Sequence, residues 1–480
     1  MKLNCIYFIG IKGVGMATLA VIAHEAGIKV CGSDVEEEFI TDTILKKSGI
    51  KFDTGFSKES IEKFLKGAKK EKTLIVVTGA HGGLDNPQAV AARELGFEIV
   101  THGQAVGLFM EGDVLGKKNM QGVSVSGSHG KTTITSFLAA AAFLSGLAPS
   151  YTAGTSEIFP IGFAGHFGKG NLFIAEADEY LSESKYDRTA KFLYQKPKVL
   201  IINNVDFDHP DFYKNLDEVK VAYKKLISSL DDDATLIVNG DDPGVKEVIM
   251  GARQRILRYG STPSNDFIIT RFKESGMNSF FDVESNGTNL GTFNLSVPGF
   301  HNAKNSLAVI AFLIDYGVSV SKVQKVLPEF RGTKRRLEVI GETKDGKILV
   351  DDYAHHPEEI QKSLEALKEA YAGKKIICIF QSHTYSRTAA LSSQFVASFT
   401  NAYQVIILPI FASMREETGN EYEVEKEIMA QFNNMNKNAV FLKFDDVVKY
   451  VDQNYQGDGY VVVTMGAGDV YKIGYRLKSL

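Results

Sequence analysis

Segment 123–133, which reads VSVSGSHGKTT, constrains the fold more than any other part of this 480-residue chain. An apolar, β-rich run leads into a turn with two glycines, and residues 134–147 are rich in alanine and leucine, as in a helix. A strand, a glycine turn and a helix in this order direct backbone N–H groups and a helix N-terminus at phosphates. The sequence therefore predicts a phosphate-binding loop formed by Gly127, Ser128, His129, Gly130, Lys131, Thr132 and Thr133.

Two residue types in this loop suit a nucleoside triphosphate. The Lys131 ammonium can reach the β- and γ-phosphates, and the hydroxyl of Thr132 or Thr133 can bind Mg²⁺. The spacing departs from the standard G-x-x-x-x-G-K-[ST] pattern, because Val125 stands at the first glycine position and a glycine follows at 127. An ordinary glycine turn before a helix is the alternative, since the chain has 44 glycines.

Size, charge and cysteine content narrow the class of protein. A length of 480 residues predicts three domains at about 100–200 residues each, and a net charge of −4 offers no general attraction to nucleic acid. The longest uncharged apolar run, 134–150, is shorter than the roughly 20 residues of a membrane span, and no signal peptide pattern opens the chain. Cys5, Cys31 and Cys378 form no C-x-x-C pair and are expected to be buried, reduced thiols. We expect a cytoplasmic monomer or homodimer with no membrane or nucleic-acid partner.

Apolar runs of strand length alternate with helical patterns along the chain. These runs lie at residues 5–9, 74–78, 172–175, 199–202, 347–350, 376–380, 404–408 and 460–465. Such alternation is typical of the α/β class with parallel sheets. Changes in composition near 116–119 and 332–336 divide the chain into predicted domains 1–117, 118–332 and 333–480.

A second glycine turn, GIKGVGM at 10–16, follows the first predicted strand. About 20 residues later comes Asp34, at the position where a dinucleotide-binding fold places its ribose ligand. The glycines read G-x-x-G-x-G rather than G-x-G-x-x-G, so NAD, another nucleotide diphosphate and a simple tight connection all remain open. The candidate contacts are Gly13, Gly15, Ser33 and Asp34.

Carboxylates and a histidine follow two further predicted strands. Glu176 ends one of them and could complete a Mg²⁺ shell if that strand lies beside the phosphate loop, although a solvated acidic loop is the alternative. His209 follows Asn204 and Asp208 after another strand and could bind a second divalent ion; the alternative is a hydrogen-bonded structural histidine.

His301 and Asn305 are four residues apart before a predicted helix at 306–315, so they would share one side of its first turn and could contact a purine base. The alternative is that Asn302 caps this helix. In the last third of the chain, polar residues close the strands before 351–357 and 381–388, which predicts a binding face at the carboxyl edge of a sheet. The adjacent pair His355 and His356 has no zinc-site spacing.

Taken together, these motifs resemble those of the Mur ligases, ATP-dependent amide-forming enzymes of peptidoglycan synthesis. The resemblance rests on GIKGVGM at 10–16, GSD at 32–34, GSHGKTT at 127–133, EADE at 176–179, DH at 208–209, HNAKN at 301–305, RR at 335–336, DYAHHP at 352–357 and GAGD at 466–469. It implies an α/β fold of three domains: a Rossmann-like N-terminal domain, a central P-loop ATPase-like domain and a Rossmann-like C-terminal domain. Ser128 replaces the family's usual threonine but keeps the hydroxyl.

The resemblance also implies roles for individual residues. The implied catalytic residues are Lys131, Glu176, His209 and Arg336, and the implied ligands of Mg²⁺, or alternatively Mn²⁺, are Thr132, Glu176 and His209. ATP would contact the phosphate loop together with His301, Asn305, Arg336, Asp352 and Tyr353. The UDP group would contact Gly13, Gly15, Ser33 and Asp34, and the amino acid would face His355, His356, His383 and Arg387.

The activity implied is an ATP-dependent ligation of L-alanine to the lactyl carboxylate of UDP-N-acetylmuramate through an acyl phosphate. Segment 206–211 resembles members with this activity. Segment 176–191 is more similar to members that attach the recycled tripeptide L-Ala-γ-D-Glu-meso-diaminopimelate to the same nucleotide sugar, and alanine is the favoured donor of the two. An NAD-dependent oxidoreductase would leave the phosphate loop unexplained, and a non-catalytic nucleotide-binding subunit would leave the lysine, acid and histidine without a role.

Overall fold

The computed structural model describes residues 1–183, 185–208, 212–411 and 439–479, with Glu423, Lys426, Glu427, Ala430 and Gln431; the Ser386 side chain is not described. Three large β-sheets follow one another along the chain, each flanked by helices. The predicted α/β class with three domains is therefore confirmed. Among the described residues, no helix combines the length and the apolar character needed to cross a membrane.

The first sheet is wholly parallel. Its strands are β1 (Cys5–Ile9), β2 (Lys29–Asp34), β3 (Lys51–Thr54), β4 (Thr73–Val77) and β5 (Glu98–Thr101), and its helices are α1 (Val14–Glu25), α2 (Asp42–Lys47), α3 (Lys58–Leu65), α4 (Pro87–Glu94) and α5 (His102–Glu111). The strand order is β3-β2-β1-β4-β5. All of β4 is buried, as expected for a parallel strand covered on both faces. The chain changes direction between β1 and β4, so the turns after these strands flank a crevice of the kind that binds ligands.

The second sheet has ten strands. They are β6 (Gln121–Ser126), β7 (Ser150–Ile158), β8 (Gly162–His166), β9 (Leu172–Glu176), β12 (Val199–Ile202), β13 (Thr235–Asn239), β14 (Arg255–Gly260), β15 (Phe267–Ser275), β16 (Asn278–Ser285) and β17 (Thr288–Leu295), while β10 (Leu181–Glu183) and β11 (Asp187–Ala190) form a separate hairpin. The central strands β9, β6, β12 and β13 are parallel, as predicted. The sequence alternation did not predict the antiparallel pairs β7–β8, β15–β16 and β16–β17.

The helices of this central region are α6 (Lys131–Leu144), α7 (Leu216–Ser228), α8 (Pro243–Val248), α9 (Phe300–Asp315) and α10 (Val320–Val326). Helix α6 is buried along most of its length, because its run of alanines at 139–142 lets neighbouring elements pack closely. The Phe137 ring stacks on Phe330 at a centroid distance of 4.3 Å. This packing fixes the N-terminus of α6 beneath the predicted phosphate loop.

The third sheet has one antiparallel edge. Its strands are β18 (Glu338–Glu342), β19 (Ile348–Asp352), β20 (Lys375–Phe380), β21 (Gln404–Ile407), β22 (Ala439–Phe441) and β23 (Tyr460–Met465), and its helices are α11 (Pro357–Ala370), α12 (Tyr385–Ala390), α13 (Ser392–Ser398), α14 (Val447–Asn454) and α15 (Tyr471–Lys478). The order is β18-β19-β23-β20-β21-β22, and only the β18–β19 pair is antiparallel.

The three cysteines are free thiols, as predicted, but only Cys378 is buried. Cys5 and Cys31 are partly exposed, which corrects the expectation that all three are buried.

Candidate active site

A turn with left-handed glycine geometry separates β6 from α6. Gly130 precedes the helix with φ of 81°, and no side chain caps the helix at this position. The first N–H groups of α6 therefore lack a protein cap, and a helix N-terminus of this kind attracts anions. The turn has the backbone geometry that a phosphate-binding loop requires.

Replacing Gly130 with alanine should weaken nucleotide binding as well as stability. An added Cβ would lie 2.7 Å from Asn203 Nδ2, and the left-handed φ is strained for alanine. Gly146→Ala is the matched control, because Gly146 has φ of 87° but an added Cβ would meet no atom within 4 Å. We expect each variant to lose about 1–2 kcal/mol from backbone strain, measured by thermal unfolding. Only Gly130→Ala should lose affinity for an ATP analogue, by about tenfold or more in calorimetric titration, because the loop must shift; equal affinities would contradict this role.

Lys131 begins α6 with its ammonium inside the site. Its Nζ lies 3.0 and 3.1 Å from the two carboxylate oxygens of Glu179, and it donates to the Gly127 carbonyl at 2.6 Å. Burial opposes the charge, but the carboxylates of Glu179 and Asp178 outweigh it and raise the pKa of Lys131. The ammonium therefore stays charged, and a triphosphate at the loop would compete with Glu179 for it.

Glu176 ends β9, which is hydrogen-bonded to β6. Thr132 Oγ1 donates to Glu176 Oε2 at 3.1 Å, and the Gly154 N–H donates to Oε1. Burial, followed by the negative charge of Asp178, raises the pKa of the Glu176 carboxyl. A half-buried carboxylate beside a hydroxyl is an oxygen donor set that fits Mg²⁺, and a cation there would compensate the partial burial of the charge. His209, the third predicted metal ligand, lies outside the described residues.

Two asparagines that follow β12 form hydrogen bonds with the phosphate loop. Asn204 Oδ1 accepts from the His129 N–H at 2.8 Å, and its Nδ2 donates to the His129 carbonyl at 3.0 Å. Asn203 Nδ2 donates to the same carbonyl at 3.0 Å and to Asn305 Oδ1 at 3.2 Å. The Asn203 amide thus connects the loop to α9, while the Asn204 amide binds the loop alone.

A cavity of about 700 Å³ opens beside the loop, between the central and C-terminal sheets. The predicted site residues that line it are His129, Gly130, Thr133, His301, Asn305, Arg336 and Asp352. Its volume lies within the usual range of roughly 300–1,000 Å³ for small-molecule sites. The structure therefore brings the phosphate loop and the predicted purine contacts to one cavity.

Helix α9 begins at Phe300 rather than at the predicted residue 306, so His301 and Asn305 lie within its first two turns. Burial, assisted by Lys362 and Lys304, lowers the pKa of His301 to about 4, which keeps the imidazole neutral at pH 7. The alternative role of Asn302 as a cap is wrong. Gly299 precedes the helix without a side-chain cap, and the Asn302 amide donates to the Pro298 carbonyl at 2.6 Å.

The C-terminal domain contributes Arg336 and Asp352 to the cavity. Arg336 Nη1 lies 3.8 Å from Glu359 Oε1, and its guanidinium packs 5.3 Å from the centre of the Tyr353 ring. Burial raises the pKa of Asp352 to about 6, although the Arg336 charge acts in the opposite direction. The Tyr353 ring thus packs against the Arg336 guanidinium and helps to hold it in position.

Four residues were predicted to face the amino acid. Arg387 Nη2 lies 3.3 Å from Asp208 Oδ1, and both side chains are buried. His355 Nδ1 lies 3.1 Å from the Tyr353 carbonyl oxygen, and burial lowers the pKa of this histidine to about 4. The His356 ring centre is 4.5 Å from that of His129, and His383 stacks on Phe411 at 5.8 Å. Arg387 and His356 therefore join the C-terminal domain to the central domain at the edge of the phosphate loop.

In the N-terminal domain, Asp34 stabilises the glycine turn itself. Its Oδ2 accepts from the Lys12 N–H at 2.6 Å, and its Oδ1 accepts from the Val35 N–H at 2.8 Å. The buried Ser33 hydroxyl donates to Gln88 Oε1 at 2.5 Å. Contact of either side chain with a nucleotide would require these hydrogen bonds to change.

The two predicted glycines of that turn differ in their surroundings. An added Cβ at Gly15 would lie 2.5 Å from His102 Nε2, an atom shielded from solvent, so packing requires this glycine. At Gly13 it would meet no atom nearer than 3.7 Å. Gly13 is therefore the better candidate for close approach to a ligand.

Comparison with known proteins covers nearly the whole chain. Residues 5–113 match the catalytic-domain model of the Mur ligase family, residues 125–313 match the Mur ligase middle domain, and residues 335–468 match the Mur ligase glutamate ligase domain. The UDP-N-acetylmuramate–L-alanine ligase of Desulfitobacterium hafniense is 36% identical, with 98% of this chain and 99% of that protein covered. The chain belongs to the Mur ligase family. The ligase of the same name from Caldanaerobacter subterraneus is 38% identical, with 99% and 97% covered.

This Mur ligase also resembles solved structures over its full length. The UDP-N-acetylmuramate-alanine ligase of Thermotoga maritima superimposes with a TM-score of 0.79 at 26% identity, covering 99% of this chain and 98% of that one. A murein peptide ligase from Psychrobacter arcticus gives a TM-score of 0.70 at 25% identity, with the same coverage. The glycine turn and the phosphate loop thus belong to one ligase architecture, which gives no support to the oxidoreductase alternative.

Proposed function

We propose that this Mur ligase joins L-alanine to the lactyl carboxylate of UDP-N-acetylmuramate at the expense of ATP. The observation that carries the proposal is a charged lysine at the start of an uncapped helix, in a turn whose neighbouring residues line a cavity shared by two domains. The full-length likeness to ligases that bear this name supports the choice of substrates.

In the first step, a lactyl carboxylate oxygen attacks the γ-phosphorus of ATP, the bond to the β,γ-bridging oxygen breaks, and ADP leaves. Both reactants are anions, so Lys131 and the N–H groups of the turn must reduce their repulsion. Mg²⁺, or alternatively Mn²⁺, held by Thr132 and Glu176, would supply further charge neutralisation at the phosphate oxygens. The alanine amine then attacks the acyl carbon and inorganic phosphate leaves.

Water must be excluded from the acyl phosphate between these steps, because water would hydrolyse it before the amine attacks. Contacts between the central and C-terminal domains can close the site. The Asp208–Arg387 ion pair joins the two domains with both side chains at least nine-tenths buried. His129 of the phosphate loop lies 3.6 Å from Glu359 of α11. We infer that this closed arrangement is the one in which phosphoryl transfer occurs.

The adenine base is assigned to His301 and Asn305. A neutral imidazole and an amide can stack on or hydrogen-bond to a purine without charge selection, which suits the uncharged base. Asp352, with a pKa of about 6, is largely ionised at neutral pH and can accept hydrogen bonds from the ribose hydroxyls. These assignments place the triphosphate between the base and Lys131.

We also propose domain borders at residues 1–117, 118–332 and 333–480. The last helix of the first domain, α5, ends at Glu111, and the first central strand begins at Gln121. Helix α10 ends at Val326, and β18 of the third sheet begins at Glu338. Each border falls between the sheets, where few structural elements would be cut.

The amino-acid donor is tested by phosphate release with ATP, Mg²⁺ and UDP-N-acetylmuramate. L-Alanine should give a kcat/KM about 10–200-fold above that of glycine, because a pocket gains this much from one methyl group. L-Serine and the tripeptide L-Ala-γ-D-Glu-meso-diaminopimelate are compared in the same assay. A preference for the tripeptide would contradict the proposal and favour the recycling activity.

A further inference from the structure

A cluster of two histidines and a glutamate lies where the phosphate loop meets helix α11. One nitrogen each of His129 and His356 and one carboxylate oxygen of Glu358 all lie within 4.8 Å of one another. His129 belongs to the loop, whereas His356 and Glu358 stand at the N-terminus of α11 in the C-terminal domain. The proposed ligation steps give these three side chains no metal-binding role.

The two imidazoles have ring nitrogens available for a ligand. His129 is 93% buried, and neither of its ring nitrogens has a hydrogen bond, since Nε2 is 3.7 Å from Glu358 Oε2 and Nδ1 is 3.6 Å from Glu359 Oε1. His356 is 94% buried and uses Nδ1 to accept the Glu358 N–H at 3.4 Å, which leaves Nε2. Carboxylates therefore face both nitrogens of His129 at ion-pair distance but beyond hydrogen-bond reach, and a buried polar group without a hydrogen bond is costly unless a ligand satisfies it.

The surrounding groups suit a metal ion. Glu358 Oε1 pairs with Lys362, so Oε2 is the oxygen that faces His129. Glu359 beside the other nitrogen of His129 would provide the outer carboxylate that orients metal-bound histidines. The Glu358 side chain is 45% exposed, which gives an ion a route from solvent.

We propose that His129, His356 and Glu358 form a transition-metal site that takes Zn²⁺ and is separate from the magnesium ligands Thr132 and Glu176. Two imidazoles and one carboxylate are a common zinc donor set, whereas Mg²⁺ prefers oxygen ligands alone. Tetrahedral zinc would bring the three donor atoms to about 3.4 Å from one another, so the side chains must close by roughly 1 Å. Bound zinc would connect the phosphate loop to α11.

Such a connection would inhibit the ligase. Zinc would hold the loop against the C-terminal domain, and product release requires these two elements to separate. This consequence rests on the proposed ligase activity, but metal binding itself does not.

Metal binding is tested with the full-length protein and Co²⁺ as a spectroscopic substitute for Zn²⁺, with excess Mg²⁺ to fill oxygen-ligand sites. We expect one Co²⁺ per chain with the visible absorption of a tetrahedral complex, without cobalt–thiolate absorption from the cysteines, and loss of the spectrum on adding Zn²⁺. Glu358→Gln should weaken binding by at least about tenfold, because it removes a ligand. Glu365→Gln, which changes an exposed glutamate further along α11, is the matched control and should bind as the wild type does.

His129→Gln serves as a second binding variant and should also lose the spectrum. Unchanged Co²⁺ affinity in both Glu358→Gln and His129→Gln, or only the weak spectrum of octahedral Co²⁺ in the wild type, would overturn the proposal. In the ligase assay, Zn²⁺ should inhibit the wild type at concentrations at least about tenfold lower than it inhibits Glu358→Gln. If the protein binds Co²⁺ tetrahedrally but has no ligase activity, the proposed metal site is still supported and the proposed function is contradicted.

Discussion

Replacing Lys131 with methionine should lower kcat for ATP-dependent phosphate release by at least about 10²–10³-fold. The ammonium is the protein's cation at the phosphate loop, and a methionine of similar length removes its charge while filling its space. The affinity for UDP-N-acetylmuramate should change by less than about twofold, because the N-terminal crevice is a separate site. Phosphate release and calorimetric titration measure the two quantities.

Loss of stability must be separated from loss of catalysis in this variant. Lys131→Met removes the cation that pairs with the buried Glu179 carboxylate, and breaking a buried ion pair from one side costs about 3–5 kcal/mol of folding free energy. The double variant Lys131→Met, Glu179→Gln removes both charges and should recover most of the melting temperature. Recovered activity in the double variant would show that Lys131 acts only by balancing Glu179, and would contradict its role at the phosphates.

Replacing Glu176 with glutamine should reduce activity and yet stabilise the metal-free protein at alkaline pH. Burial and Asp178 raise the pKa of Glu176, so the folded protein keeps a proton that the unfolded chain has released. The free energy of unfolding of the wild type therefore falls as the pH rises from the ordinary glutamate pKa through the raised pKa of Glu176. Glutamine carries no charge, so the variant should melt with the wild type near about pH 5 and at a higher temperature near about pH 8.

The same variant should lose its response to magnesium. At about pH 8, Mg²⁺ should raise the melting temperature of the wild type by binding the folded state, and Glu176→Gln should show little increase. We expect kcat/KM to fall by about 10²-fold or more, since charge neutralisation at the phosphates is lost. If the Glu176→Gln variant keeps the magnesium dependence of the wild type, Glu176 is not a magnesium ligand.

Continuous apolar runs made the strands of the parallel sheets predictable. The strands at 5–9, 199–202 and 460–465 were predicted at the bounds that the structure has, because a strand buried on both faces reads as an unbroken apolar run. Strands β15 to β17 were missed. They form an antiparallel edge with polar residues on one face, and their alternating pattern resembles that of an exposed loop.

Site residues were predictable from the sequence only where they belong to a recognisable local motif. Lys131, Thr132 and Glu176 follow strand ends, and neighbouring parallel strands bring such ends together. Glu179, Asn203 and Glu359 were not singled out, because their roles depend on which strand or domain lies opposite. The contact of His129 with His356 likewise joins residues more than 200 positions apart in the sequence, and no local sequence pattern predicts such a contact.

A crystal structure with a non-hydrolysable ATP analogue and Mg²⁺ would show where the triphosphate binds. We predict that the triphosphate lies against the N–H groups of residues 127–132, with Lys131 released from Glu179 and the adenine beside His301 and Asn305. A triphosphate bound instead at the glycine turn of the N-terminal domain, with Lys131 still paired to Glu179, would contradict it.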